Sequence, residues 1–339
     1  MTIPDFNGLP VAVIGDLIAD HYIFAQPQRL SREAPVMVLS HQRDELGAGG
    51  AANVARNLAA LGARVALFGV VGRDANGREV LRILEEQGID TAGVELVPEW
   101  STPTKTRILA AEPRRSLQQV LRIDREPETA MALDVIEGIA GRVAARSGEL
   151  EAVLLSDYEY GALGAPLIPV VARMLERGKV VVLDPRRNFE LFPGITALTP
   201  NLGELAQFLQ RRPESLDDPA DLRDAAREVL VRCGARWLLV TRGNQGMAIF
   251  GEGLATDGVF IAASGAGDVT DVCGAGDTAA AVFGLGLAAG MGAASAMELA
   301  NVASGVVVME HGAAFCSAEQ LHQAVGAAPA PDTSRGLRK

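Results

Sequence analysis

The sequence predicts a doubly wound α/β fold, a mostly parallel sheet flanked by helices with a small β-sheet lid, and three observations carry it. Short apolar runs that read as buried strands alternate with segments of helical period. Polar residues (Asp16, Asp157, Asp184 and Asn201) fall just after several of these runs, at the strand ends where such sheets bind ligands. Two further stretches alternate apolar and polar residues without helical period, and these read as extra strands.

The elements follow in chain order. A strand is expected at 11–14, then lid strands within 21–46, a helix at 51–61, a strand at 65–71 and a helix at 77–87. A second lid segment spans 104–124, and Val36-Met-Val-Leu39 and Gln119-Val-Leu-Arg-Ile-Asp124 show the alternation. Helices are expected at 132–145, 165–177, 202–209 and 218–233, and strands at 153–155, 180–183, 197–199 and 237–240. Residues 278–297 carry no charge, yet they are mostly Ala and Gly, too weakly apolar for a membrane span. They read as a buried helix, a turn near Gly290-Met291-Gly292 and the start of a second helix from about 294 to 309. One domain over 1–325 is expected, with the lid inserted into it, followed by a flexible tail at 326–339 rich in Ala, Pro and basic residues.

Composition limits the partners. With 339 residues and 48% hydrophobic content, the chain can bury a sizeable core. A formal charge of −11 argues against nucleic acid and anionic membrane, which demand clustered Lys and Arg. Cys233, Cys273 and Cys316 lack metal-like spacing, and His21, His41, His311 and His322 are isolated, so neither structural zinc nor disulfides are expected. The N-terminal Met1-Thr-Ile-Pro-Asp5 lacks the plan of a signal peptide, and a cytoplasmic protein is expected.

The chemistry is concentrated in Asp271-Val-Cys-Gly-Ala-Gly-Asp277-Thr278, just ahead of the helix at 279–289. Glycines let successive N–H groups surround an anion, and the helix N-terminus favours the same charge. Asp277, in the first turn, could take a proton from an attacking hydroxyl. A near-copy, Ser264-Gly-Ala-Gly-Asp268, is followed by Val269-Thr270-Asp271 with no helical face and reads as a loop. Gly47-Ala-Gly49-Gly50-Ala51-Ala52 loosely fits a dinucleotide fingerprint, the basis of a rival reading as an NAD-dependent oxidoreductase. Charged residues 43–45 stand where that motif needs a buried strand. No Walker A, H-R-D or D-F-G string occurs.

Taken together, these runs resemble the ribokinase-like (PfkB) family of small-molecule kinases over nearly the whole chain. The N-terminal signature is Ala48-Gly49-Gly50-Ala51-Ala52-Asn53-Val54-Ala55 followed by Gly62 and Gly72, and the C-terminal one is residues 271–278. Gly15-Asp16, Asn201-Leu-Gly-Glu204 and Val240-Thr241-Arg242-Gly243 lie between them in family order. Within the family the chain is most similar to heptose 7-phosphate kinases, through Gly15 to Tyr22, Leu30-Ser-Arg32-Glu-Ala-Pro-Val36, Thr104-Lys105-Thr-Arg107, Leu155-Ser-Asp-Tyr158 with Gly161-Ala162, and Leu198 to Glu204. It departs from them at Cys273, at Asp184-Pro-Arg-Arg187 and at Glu310-His-Gly-Ala313. The resemblance implies ATP-dependent phosphorylation of a sugar-phosphate hydroxyl, foremost heptose 7-phosphate to heptose 1,7-bisphosphate in lipopolysaccharide precursor synthesis. A free sugar or nucleoside is the alternative acceptor, and a non-catalytic sensor is a more remote one. Many relatives carry a fused adenylyltransferase, and here a separate enzyme is expected to supply that step.

It further implies Asp277 as base, with Gly274, Ala275 and Gly276 amides on the γ-phosphate. Asn201 and Glu204 would organise Mg²⁺ through water, while Thr241, Gly243, Asp271 and Asn301 would lie at the nucleotide. A monovalent cation is a further candidate cofactor. Asp16, Asp20, Gly49, Gly50 and Asn53 would grip sugar hydroxyls. Lys105 and Arg107, two apart on one strand and so on one face, with Arg32, are candidates to clamp a substrate phosphate. Exposed lid edges favour pairing with a second copy, so a homodimer through the lid is expected.

Overall fold

The computed structural model describes residues 2–111, 117–265, 272–310, 312 and 314–327. The chain begins with β1 (Pro10–Leu30), β2 (Met37–Gly50), α1 (Ala51–Ala60), β3 (Arg64–Gly72), α2 (Ala75–Glu86) and β4 (Asp90–Val97). It continues through β5 (Thr104–Ala110), β6 (Gln118–Arg125), α3 (Leu133–Arg146), β7 (Ala152–Ser156), α4 (Ile168–Glu176), β8 (Val180–Asp184) and β9 (Ala197–Leu198). The last third holds α5 (Leu202–Phe208), α6 (Pro219–Cys233), β10 (Trp237–Thr241), β11 (Met247–Gly251), β12 (Val259–Ile261), α7 (Ala275–Ala288), α8 (Ala293–Val307) and α9 (Ala318–Ala327).

Among the described residues, nine strands form the main sheet in the order β12-β11-β10-β9-β8-β7-β1-β3-β4. All neighbours from β10 to β4 pair parallel, and β10-β11-β12 closes the far edge antiparallel. The apolar runs are continuous because both faces are covered. In β1, Val11 and Val13 enter one core layer and Ala12 and Ile14 the other; in β7, Ala152 and Leu154 face Val153 and Leu155 across the sheet in the same way. Helices α1, α7 and α8 cover the first layer, and α3, α4 and α6 the second. The uncharged stretch is indeed two helices, α7 and α8, broken at Gly290, and among the described residues no helix is long and apolar enough to cross a membrane. Close packing explains its small residues: a Cβ on Gly284 would lie 3.3 Å from Leu154 and Val182 side chains of β7 and β8.

The lid is a second sheet in the order β2-β1-β5-β6. It begins earlier than expected, because β1 is one 21-residue strand that serves both sheets and changes partners at Leu17. Likewise β2 runs on to Gly50 rather than ending at 46, so a strand does precede the glycine run; it is an exposed lid strand, unlike the buried one a dinucleotide site needs. Three strands go beyond the sequence reading. β4 is a half-buried edge whose Gly93 sits where a Cβ would meet the Phe68 ring at 2.4 Å, and β12 is three residues long. β11 is a short apolar run hidden behind the turn at Gly243 and Gly246. The expected tail boundary also shifts, since α9 extends to Ala327; residues 328–339 lie outside those described.

Candidate active site

Three helix starts converge at the carboxyl ends of the central strands. α7 opens at Gly274, whose φ of +79° favours glycine, and whose Cβ, if present, would lie 2.7 Å from Asn53 Nδ2. α1 opens at Gly50, φ +59°, where a Cβ would strike the Asp16 carbonyl at 2.6 Å. α5 opens on a capping box: Asn201 Oδ1 accepts from Glu204 N and Glu204 Oε2 accepts from Asn201 N, both at 2.9 Å. The cleft between them is lined by Asp277, Gly274, Gly276, Asn201, Glu204, Thr241, Asp157 and Asp184 among the residues singled out in the sequence.

Asp277 is the third residue of α7, 5% exposed, with both carboxylate oxygens engaged. Asn53 Nδ2 donates to Oδ2 at 3.0 Å and the Tyr158 hydroxyl donates to Oδ1 at 2.8 Å. Burial pushes its carboxyl up to about 7, against the pull of those two donors, with the charges of Asp20 and Glu204 adding to the rise. A carboxylate tuned near neutrality is suited to general base work. Asn53 is wholly buried, and its Oδ1 meets no hydrogen-bond partner among the described residues. Asn57 ties α1 to α7 behind it, donating to Asn53 O at 3.0 Å and accepting from the Thr278 hydroxyl at 3.0 Å.

The opposite wall is acidic. Asp184 is held well above its ordinary range by burial and by the charges of Glu204 and Asp277, and Glu204 is raised chiefly by burial. Asp157 Oδ2 is buried without a hydrogen-bond partner among the described residues. An orphaned buried oxygen beside raised carboxylates fits a hydrated divalent cation, which would relieve all three. Among the described residues no group of three or more His, Cys, Asp or Glu is placed to hold a metal ion. Asn201, Glu204, Asp157 and Asp184 are the residues that would hold it.

Other expected site residues have different neighbours. Asp16 accepts from the backbone N–H groups of Tyr158 (2.8 Å), Tyr160 (3.0 Å) and Ala162 (2.9 Å), so it anchors the loop that carries Tyr158; burial raises its carboxyl to about 6. Asp20 forms a buried ion pair with Arg107, and Gly49 makes room for it, since a Cβ there would lie 2.1 Å from Asp20 Oδ2. Arg107 therefore faces Asp20, while Lys105 pairs with Asp124 at 3.4 Å and lines a neighbouring groove with Arg122 and Arg186. Arg32 is exposed in the turn between β1 and β2 and lines neither the cleft nor that groove. Ala275 N–H donates to Val272 O at 3.3 Å within the turn, leaving Gly274 and Gly276 in the cleft wall. Asn301 spans back to Ala262 O at 2.9 Å and Ser264 N at 3.4 Å, and Gly243 starts a single helical turn after Thr241. Asp271 and the near-copy's Asp268 lie outside the described residues.

A family model for pfkB family carbohydrate kinases matches residues 10–320. The chain belongs to the pfkB family of carbohydrate kinases. It is an ATP-dependent carbohydrate kinase, which removes the oxidoreductase reading. This pfkB kinase is 38% identical over 324 residues to the bifunctional protein HldE of Geobacter metallireducens, covering 95% of the chain and 63% of that protein. It is 36% identical to the HldE of Helicobacter pylori, over 92% of the chain and 65% of that protein. The chain thus spans less than two thirds of the length of these curated relatives. Among solved structures, Escherichia coli phosphofructokinase-2 with substrates and products superposes with TM-score 0.76 at 18% identity, covering 94% of this chain and 98% of that one. Arabidopsis thaliana ribokinase with ribose and ATP gives TM-score 0.71 at 21% identity, over 94% and 99%.

Sequence reasoning assigned no role to Tyr158, Asp157, Asp184, Arg186 or Asn57 of this pfkB kinase. Asp157 and Asp184 carried a signal, their position at strand ends, whereas Tyr158 and Arg186 reach the cleft from loops whose course no local pattern reveals. Tyr158→Phe removes a donor that holds the Asp277 carboxyl down, so the acid limb of the kcat/KM–pH profile is expected to move upward from about 7. An unmoved limb with reduced rate would assign Tyr158 to packing alone.

Proposed function

We propose that this kinase phosphorylates a hydroxyl of a sugar phosphate, with heptose 7-phosphate giving heptose 1,7-bisphosphate as the foremost reaction. The observation that carries a sugar hydroxyl to this site is the buried Asn53 Oδ1 beside Asp277, which has no hydrogen-bond partner among the described residues and is an acceptor for a hydroxyl next to the base. The preference for a phosphorylated sugar rests on the lid. Cross-strand partners share a face, and on the face bearing Asp20, register brings together Arg43, Lys105, Arg107 and Arg122 against three carboxylates, Asp20, Glu45 and Asp124. That is a cationic face on a chain of net charge −11. Similarity to HldE proteins and the heptose-kinase runs in the sequence point to the heptose.

In this mechanism ATP is the phosphoryl donor, and Mg²⁺ held through Asn201, Glu204, Asp157 and Asp184 would neutralise part of the phosphate charge. Asp277 takes the proton of the attacking hydroxyl, Asn53 fixes the carboxylate and the hydroxyl together, and the start of α7 with Gly274 and Gly276 faces the transferred group. The lid shields the sugar side from water. ATP consumption measured against heptose 7-phosphate, other sugar phosphates, free sugars and nucleosides tests the reading. Turnover confined to unphosphorylated acceptors would overturn it.

A homodimer paired through the lid is part of this reading. Val120, Leu121 and Ile123 of β6 are each more than half exposed, as are Leu30 and Val36 at the lid tip. Sedimentation equilibrium is expected to give a dimer that Leu121→Glu with Ile123→Glu converts to monomer; a wild-type monomer at micromolar concentration would remove the proposal.

A further inference from the structure

We propose that Arg186 is a catalytic residue that neutralises charge on the transferred phosphoryl group. The inference goes beyond the proposed acceptor and rests only on the reading of the cleft as the place of phosphoryl transfer. Arg186 follows β8 directly, in the run Asp184-Pro185-Arg186, and it lines both the cleft and the adjoining groove. Four carboxylates, from Asp157, Asp184, Glu204 and Asp277, line the cleft, and Arg186 is its cationic side chain among the described residues. Its guanidinium lies 5.8 Å from the ring centre of Tyr158, whose hydroxyl donates to Asp277 at 2.8 Å, so the cation stands one side chain away from the base.

The neighbouring Arg187 is used differently. It pairs with Glu159 at 3.3 Å, whereas Arg186 is exposed above the cleft with its fork directed over Tyr158. In the transfer step an oxygen lone pair of the acceptor forms a bond to the γ-phosphorus. The bond from γ-phosphorus to the β–γ bridging oxygen breaks, its electron pair stays on ADP, and the hydroxyl proton goes to Asp277. Charge accumulates on the equatorial phosphoryl oxygens and the bridging oxygen. A guanidinium with several donors in one plane suits that distribution, and supplied within the chain it would act where four acids otherwise repel the nucleotide.

The test is binding of a transition-state mimic without any sugar, so an error in the acceptor leaves it readable. Titration calorimetry of Mg·ADP with and without aluminium fluoride is expected to show tighter binding with fluoride for wild type. Arg186→Ala should lose at least tenfold of that tightening while its affinity for Mg·ADP alone stays within about threefold. Arg186→Lys should retain part, and Arg187→Ala all of it. A steady-state companion, with whichever acceptor turns over, should show Arg186→Ala lowering kcat about 10²–10³-fold with little change in the KM for ATP. Tightening preserved in Arg186→Ala, or absent from wild type, would overturn the assignment. Failure of wild type to bind Mg·ADP would overturn the reading of the cleft itself.

Discussion

At pH 8, Asp277→Asn is expected to lower kcat by about 10²–10⁴-fold, the contribution of a positioned general base. The substitution keeps size and removes the basic oxygen, so nucleotide binding should hold and the loss should sit in kcat rather than KM. The wild-type profile should rise about tenfold per pH unit below about 7 and level above it, because only the ionised carboxylate accepts the proton. The same shift has a consequence for stability. Asp277 is raised from 3.8 to about 7 in the folded protein, so its favourable contribution is complete below 3.8 and is lost as pH rises through about 7. A neutral Asn escapes that loss. Thermal unfolding should therefore fall less steeply between pH 5 and 8 for Asp277→Asn than for wild type. Retained turnover, or parallel stability curves, would count against Asp277 as the buried base.

Arg107→Ala is expected to have the largest effect on folding. Arg107 and Asp20 form an ion pair with side chains 9% and 10% exposed, and removing one member strands the other's charge in the interior. Such losses run to about 3–5 kcal/mol. Here the charge of Arg56, which Asp20 also attracts, offsets part of the penalty and favours the lower end. The guanidinium also lies 5.3 Å from the Tyr22 ring centre, so Arg107→Lys loses the planar contact and should rescue only partly. Urea unfolding of Arg107→Ala, Asp20→Asn and the double variant would measure the coupling. A loss below about 1 kcal/mol would mean the pair behaves as a solvated surface bridge.

The main sheet was legible because a strand covered on both faces needs an uninterrupted apolar run, as in Val11-Ala-Val-Ile14 and Val180-Val-Val-Leu183. β4 was hidden by its glycine and its half-exposed edge, and β12 by its three residues. The expected phosphate clamp shows a limit of pattern reading. Strand period correctly puts Lys105 and Arg107 on one face, but period carries no information about the acids opposite, and there Asp124 and Asp20 meet them. The N-x-x-E run was read for its affinity to a cation, and the structure adds that the same two side chains close a capping box.

By itself, the sequence determined the layered α/β architecture, the inserted lid, and the glycine-bounded helix start that carries Asp277. These depend on residue periods and backbone freedom, which are local. Only the tertiary structure decided which atoms meet across the chain. Asn53 and Tyr158 reach Asp277 over separations of 224 and 119 residues, Asp16 is taken up by the loop at 158–162, and Arg107 is spent on Asp20. Such contacts are fixed by how strands and loops are stacked, and the same stacking removes the water whose loss tunes the base to about 7.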